Sequence, residues 1–353
     1  MKYDVIIVGA GPAGIFSALT LAKNSNLRIA MFNKGPDIEN RVKILEETNQ
    51  ISPVILSGWG GAGAFSDGKL TLSPYVGGWL NEYVGYEALK RLIEEVDNIF
   101  LSFGAPRKIY GDDPEAVERI GSAAQRAGMR LVPEIIRHVG RENAKVILAK
   151  MKQRLEGLGV DIYLETPVRH IVVKNGLAAG IITCDGYKFE AKYLIIAPGR
   201  GGAEWLRGEV DRLGIGYEAN PVDIGVRVEV PAAVMEHLTS SLYEPKLLYT
   251  TKSFDDVVRT FCVNPHGIVI TETYEDVIMV NGQSFASKKT ENTNFALLVN
   301  VRFTEPFKEP IAFGKYIARL ANMLSGGVIV QRLGDLKRGR RSTYQRIERN
   351  PVR

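Results

Sequence analysis

The sequence predicts an α/β fold: a dinucleotide-binding domain of parallel β–α–β units, a helical insertion, and a mixed or antiparallel β-sheet lobe. Three observations predict it. A glycine fingerprint opens the chain between two strand-like runs, apolar residues recur at helical spacing between Leu72 and Leu158, and alternating β-branched segments follow from Asp223 onward.

The first element is Tyr3–Val8 (YDVIIV), a short apolar run rich in β-branched residues, as expected for a strand buried on both faces of a parallel sheet. Gly9-Ala10-Gly11-Pro12-Ala13-Gly14 follows it. In a Rossmann-like unit the first glycine permits the tight turn, the second lets the backbone approach a pyrophosphate, and the third lets the next helix lie close on the strand. That helix is expected over Ala13–Lys23 and the second strand over Leu27–Phe32, which gives the motif the strand–turn–helix–strand context it requires. The phosphates then rest on a helix N-terminus. The second strand should end in an acidic residue that receives the adenosine ribose hydroxyls, but Asn33 stands there, followed by Lys34 and Gly35. Asparagine still hydrogen-bonds a diol, without charge assistance.

The fingerprint alone does not separate FAD from NAD, and three further features favour FAD. Ser57–Lys69 holds five glycines in 13 residues, which suits a bare backbone wrapped around a flat or anionic ligand. Two more strand-like runs occur at Glu165–Val173 and Tyr193–Gly199, the second ending in Ala197-Pro198-Gly199. No second GxGxxG follows a strand, so a dedicated NADPH domain is not expected.

The middle of the chain reads as helical, with Glu82–Gly104 and Glu142–Leu158 carrying the clearest period. The antiparallel lobe is expected from Asp223 through Asn300, with strands such as Gly267–Thr271 and Asp276–Val280. The resulting boundaries are 1–72 and 159–222 for the two halves of the FAD-binding domain, 73–158 for the helical insertion, 223–331 for a substrate lobe and 332–353 for a basic segment. A cleft between the lobes is where flavin and substrate should meet.

Composition bounds the function. The 353 residues include 36 glycines and are 45% apolar, enough for a sizeable core. The net charge of +5 lies in the tail, where eight basic residues face Asp335 and Glu348, and the preceding residues are close to neutral. Such a run is most simply a solvated segment, and nucleic acid is not expected as a partner. No stretch reaches the roughly 20 apolar residues of a membrane span, so a cytoplasmic protein is expected. Cys184 and Cys262 form no CxxC pair or ligand cluster, no metal site is expected, and both thiols read as buried and inert.

The opening fingerprint, Glu165–Val173 and Ala197-Pro198-Gly199 resemble the FAD-binding fold of the glutathione-reductase-like flavoproteins. Gly58–Lys69 (GWGGAGAFSDGK), Thr260–Gly267 (TFCVNPHG) and Thr293–Leu298 (TNFALL) are similar to signatures of a poorly characterised family of FAD-dependent dehydrogenases, and this resemblance covers nearly the whole chain. It implies pyrophosphate contacts at Gly9, Gly11 and Gly14 with Pro12 and Ala13 between them, ribose contact near Asn33 and Lys34, and adenine contact near Val168. It also implies that Gly60, Gly61, Ala62, Gly63, Ser66 and Asp67 lie near the pyrophosphate or the isoalloxazine, with Ala197, Pro198 and Gly199 at the strand end. The wider fold places a Gly-Asp motif near its C-terminus, and here only Gly334-Asp335 occurs, in a charged segment without a preceding strand. The family is expected to continue for roughly another hundred residues, about a small domain.

No Ser-His-Asp, HExxH or paired-carboxylate arrangement is visible, so the chemistry belongs to a flavin that the protein orients and shields. Arg41, Lys69 and Arg200 are candidates to stabilise negative charge on flavin or phosphate. His266 is a candidate to face the ring or else a turn residue; His138, His170 and His237 have no partner at a meaningful spacing. Thr293-Asn294-Phe295 is, by resemblance, the substrate-lobe element that approaches the ring. The expected function is an FAD-dependent oxidoreductase acting on a small molecule, of unknown substrate and oligomeric state. The alternatives are a flavin-dependent RNA-modifying protein that uses the basic tail, and a non-catalytic FAD-binding fragment.

Overall fold

A computed structural model describes residues 1–48, 53–274, 276–285, 288–303 and 309–349. The end of the basic tail, including Arg353, lies outside the described residues. Two compact units form: Met1–Gly68, Ser102–Ala105 and Arg141–Glu218 make the first, and Lys69–Leu101, Pro106–Gly140 and Ala219–Arg353 the second.

The first unit is built on a six-stranded sheet in the order Asp161–Tyr163, Ile29–Phe32, Lys2–Val8, Lys188–Ile196, Leu177–Thr183, Val168–Lys174. The first four strands are parallel and the last three run as an antiparallel meander. Ile6, Ile7, Ala30, Met31 and Phe32 have no exposed surface, because side chains on both faces of a central parallel strand are covered. On one face Phe32 stacks on Tyr163 at 4.7 Å between ring centres, within a core that includes Tyr3, Ile6, Ile181 and Phe189. The helix Pro12–Asn24 lies against Lys2–Val8 and Ile29–Phe32, and Arg141–Gly157 packs on that helix.

The second unit holds a five-stranded antiparallel sheet in the order Val222–Pro231, Asn292–Val301, Val257–Asn264, Lys246–Thr250, Arg130–Val132. Ile268–Tyr274 and Val277–Gln283 form a separate hairpin, and Lys69–Thr71 pairs with Ile136–His138. The α/β class, the parallel nucleotide-binding sheet, the helical insertion and the antiparallel lobe are thus as expected.

Several details differ. The helix Arg141–Gly157, expected in the insertion, belongs to the nucleotide-binding unit, because Ala144, Ile147, Leu148, Met151 and Leu155 are its buried stripe there. The single helix expected over Glu82–Gly104 is broken into Leu80–Val84 and Tyr86–Ser102 at Gly85, which takes a positive φ of 78°. Leu177–Thr183 is a strand and Pro310–Ser325 a helix, neither of them foreseen. Cys184 is exposed and Cys262 half-buried, so neither is a core thiol. The described part of the basic tail is not simply solvated, since Arg340 (2.7 Å) and Ser342 (2.9 Å) both bond the buried Asp335 carboxylate. Arg340 thereby holds that carboxyl below its ordinary range. Among the described residues no helix is long and apolar enough to cross a membrane.

Candidate functional site

The site expected from the sequence lies where the parallel strands of the first unit end. Val8 pairs with both Phe32 and Ile196, so the chain leaves Lys2–Val8 between two neighbouring strand ends. Gly9 donates its N–H to Phe32 O (2.8 Å), and Ala197 donates to Val8 O (2.7 Å). Gly9 adopts a φ of 113°, and a β-carbon on it would lie 2.0 Å from Ala197 O. A β-carbon on Gly14 would lie 1.9 Å from Gly9 O. Packing therefore demands glycine at both positions.

Gly11 is different. It precedes the helix Pro12–Asn24 with a negative φ of −81°, and the nearest atom to a β-carbon there, Gly61 Cα, is 3.9 Å away. Nothing among the described residues requires a glycine at this position. The helix has Pro12 at its first position, no side-chain cap and no acidic residue in its first turn, and Pro12 and Ala13 are exposed. An uncapped N-terminus presents orphan amides and positive dipole potential, which suits an anionic diphosphate.

The glycine-rich segment packs directly on this turn. Gly60 donates to Ala10 O (2.8 Å), and the short helix Gly61–Phe65, which includes Ala62, brings Gly61 and Gly63 against Gly11 and Pro12. Ser66 closes the segment by donating to Gly63 O (3.0 Å) and accepting from Gly68 N–H (3.2 Å), and Asp67 is buried beside it. Trp59, fully buried, donates its indole N–H to Leu148 O (2.7 Å). Arg41 has no exposed surface, and its guanidinium bonds the carbonyls of Val54 (2.9 Å), Ile55 (3.1 Å), Gly61 (2.8 Å) and Trp59. Burial pushes its pKa down to about 9. Arg41, expected to stabilise charge on the cofactor, is thus turned inward as a staple of the loop, because the carbonyls of a helical loop need donors and only a five-donor fork reaches four of them. Its ring contact, Phe65, also lies under Arg141 and Lys145, at 4.7, 5.7 and 5.2 Å for the three cations. Sequence reading singled out neither Trp59 nor Phe65, whose only signal was an aromatic within a glycine-rich run.

At the end of Ile29–Phe32, Asn33 accepts from Gly35 N–H (2.8 Å) through its side-chain oxygen, and its backbone holds Tyr163 and Thr166. The side-chain oxygen at this position is therefore engaged within the chain, by Gly35. Lys34 bonds the carbonyl of Gly201, in the turn that follows Ala197, Pro198 and Gly199. Val168 begins its strand half-buried, opposite Thr183. Arg200, exposed, opens that same short turn.

The candidates in the second unit are already engaged. Lys69 forms a buried ion pair with Glu244 and donates to Val263 O (2.8 Å), so it is not an outward-facing cation. His266, at a φ of 50°, has its Nδ1 2.8 Å from Thr290 O. His138 stacks on Tyr243 at 4.5 Å and lies 3.2 Å from Ser284 Oγ, and in the first unit His170 lies 2.8 Å from Glu209. Spacing could not show these partners, which come from distant parts of the chain. His237 is exposed. Thr293 and Asn294 are buried, and Asn294 accepts from Arg227, a residue the sequence did not single out. No group of three or more His, Cys, Asp or Glu among the described residues is arranged to hold a metal ion.

Residues 221–350 match the family model described as "FAD-dependent protein, C-terminal domain-like". This bears out the resemblance to a family of FAD-dependent proteins, and the cofactor in that description is the FAD expected from the sequence. An uncharacterized protein of Clostridium beijerinckii is 27% identical over 366 residues, covering 97% of this chain and 61% of that protein. An electron transfer flavoprotein-ubiquinone oxidoreductase of Pseudomonas aeruginosa is 25% identical over 220 residues, 56% of this chain and 33% of that enzyme. The chain thus spans about three fifths of one relative and a third of the other. Among solved structures, L-amino acid deaminase from Proteus vulgaris is 13% identical with a TM-score of 0.43, over 90% of this chain and 66% of that one.

Proposed function

We propose that the chain is an FAD-dependent oxidoreductase that passes a hydride or electrons between a small molecule and flavin. The observation that carries this reading is the uncapped start of Pro12–Asn24, with Gly11 open before it and the Gly60–Gly63 segment packed alongside. Gly9, Gly11, Ala13 and Gly14 would hold the diphosphate, Asn33 and Lys34 the adenosine ribose, and Val168 the adenine edge. The segment Gly60 to Asp67 and the Ala197–Gly199 turn would line the remaining length. FAD, when bound, supplies the two-electron acceptor that no side-chain group here provides. The protein's own part is to bind and orient: backbone amides meet the phosphates, and the Arg41-stapled loop keeps its glycines against the turn.

The test is the absorption spectrum of the purified chain, identification of the released cofactor, and anaerobic titration with dithionite and then with candidate donors. A flavin spectrum that bleaches with a reductant is expected. Recovery of a stoichiometric nicotinamide cofactor without flavin would overturn the reading.

A further inference from the structure

Arg227 sits on Val222–Pro231, opposite Ala296, and its half-buried guanidinium reaches side chains and backbone from three other strands. Nη1 donates to Cys262 O (3.2 Å), Asn264 Oδ1 (3.0 Å) and Asn294 Oδ1, and Nη2 makes one long contact with Asn281 Oδ1 (3.4 Å). All four acceptors are neutral. Among the described residues no carboxylate comes within ion-pair distance of Arg227, and the nearby Glu272 is engaged by Asn281 Nδ2 (2.7 Å). A guanidinium drawn partly out of water usually meets a counter-charge, and this one has none among the described residues.

The fork is half spent. An arginine carries five N–H donors, and among the described residues Nε–H makes no bond and Nη2 only that one long contact. Together they form the edge that grips a carboxylate bidentately. Asn294 adds to the excess of donors, because it is fully buried and its Nδ2 has no partner among the described residues, while its oxygen is fixed toward Arg227. Flipping that amide would set donor against donor.

The surrounding backbone is shaped to hold this guanidinium. A β-carbon on Gly282 would lie 2.1 Å from Arg227 Nη1 and 2.1 Å from Asn264 Oδ1, so any side chain there would displace the guanidinium or its asparagine partners. Cys262 takes a φ of 48° where the pairing register shifts between Phe261 and Asn264. That strained bulge is pinned by Glu244, which accepts from Cys262 N–H (2.8 Å), and by Lys69 on Val263 O (2.8 Å). It aims the Cys262 carbonyl at Arg227. Strain maintained by dedicated contacts marks a site rather than a fault.

We propose that Arg227 anchors a carboxylate, so that the small-molecule substrate of this protein is an organic acid bound through its carboxylate to the Nε/Nη2 edge. The substrate assignment rests on the oxidoreductase reading above, whereas the carboxylate site does not. The site is tested by calorimetric titration of the full chain with acetate and benzoate, each against its uncharged isostere, acetamide and benzamide. The carboxylates are expected to bind saturably and the amides not. Arg227→Gln should weaken carboxylate binding about thirtyfold or more, as for loss of one partner of a desolvated charge pair. Asn294→Asp is the second variant: it keeps the acceptor on Nη1, supplies an internal counter-charge, and should fold yet lose carboxylate binding. Equal binding of acids and amides, absence of saturable carboxylate binding, or unchanged affinity in Asn294→Asp overturns the proposal. Flavin content is read from the same samples. A flavin-loaded protein indifferent to carboxylates sinks this inference alone, and a carboxylate-binding protein without flavin sinks the oxidoreductase reading instead.

Discussion

The carbonyl oxygen of Ala197 occupies the space a side chain on Gly9 would need, 2.0 Å from where its β-carbon would stand. One glycine of the fingerprint is thus claimed by the fold itself, and Gly14, against Gly9 O, is a second. Gly11 is claimed by nothing among the described residues.

That contrast gives the first prediction. Gly9→Ala should destabilise or prevent folding, because backbone must move, whereas Gly11→Val should fold with a nearly unchanged melting temperature and contain no flavin. Melting curves and flavin-to-protein absorbance ratios check both. A soluble Gly11→Val variant with normal flavin content would show that nothing approaches this turn closely.

Gly61 combines both pressures. Its φ is 56°, and a β-carbon there would come within 2.9 Å of Gly11 Cα. Gly61→Ala is therefore expected to cost about 1 kcal/mol or more in stability and to displace the loop from the turn, weakening flavin retention. Urea denaturation and equilibrium dialysis against FAD measure the two effects. A free surface loop would tolerate the change in both assays.

Arg41 should behave as a structural residue. Arg41→Met keeps the side chain's apolar length but removes the guanidinium from four carbonyls, two of them in fully buried bonds, so a loss of about 2–4 kcal/mol is expected. Arg41→Lys should recover only a small part, since an ammonium cannot span the same four acceptors. If either variant keeps wild-type stability and only cofactor affinity falls, the guanidinium faces the ligand after all.

Much of this arrangement was legible in the chain. The run VIIV before a spaced set of glycines has one economical reading, because a strand buried on both faces and a backbone stripped of side chains both leave direct marks on sequence. Arg41 left no such mark, since its burial is created by carbonyls 13 to 20 positions further on. The helix Arg141–Gly157 shows a buried stripe, but a stripe does not name the surface it will cover. Leu177–Thr183 (LAAGIIT) has small residues in its first half and so lacks the bulky alternation that marks a strand. Arg227 stands in the alternating run DIGVRVEV, where a lone cation reads as the solvent face. Only the asparagines brought in from other strands reveal it as a shared centre.

The last prediction concerns acid stability in the first unit. Glu209 is buried in the helix Ala203–Arg212, and its carboxylate accepts from Arg212 (2.6 and 2.9 Å) and Ile171 N–H (2.7 Å), with His170 Nδ1 at 2.8 Å. Burial alone would raise its pKa, but these partners together, Arg212 foremost, bring it down to about 2 from an ordinary 4.5. A carboxylate whose pKa is depressed on folding stabilises the protein fully above its unfolded value, and that stability drains away as pH falls toward the folded value. Glu209→Gln should therefore melt below wild type at pH 7, where amide donors replace acceptors against Arg212 and Ile171. The gap should narrow between about pH 4.5 and pH 2, as the wild-type carboxylate takes up its proton. Melting temperatures of both proteins across that range decide the matter: a gap independent of pH would mean that the Glu209 charge contributes nothing beyond the shape of its side chain.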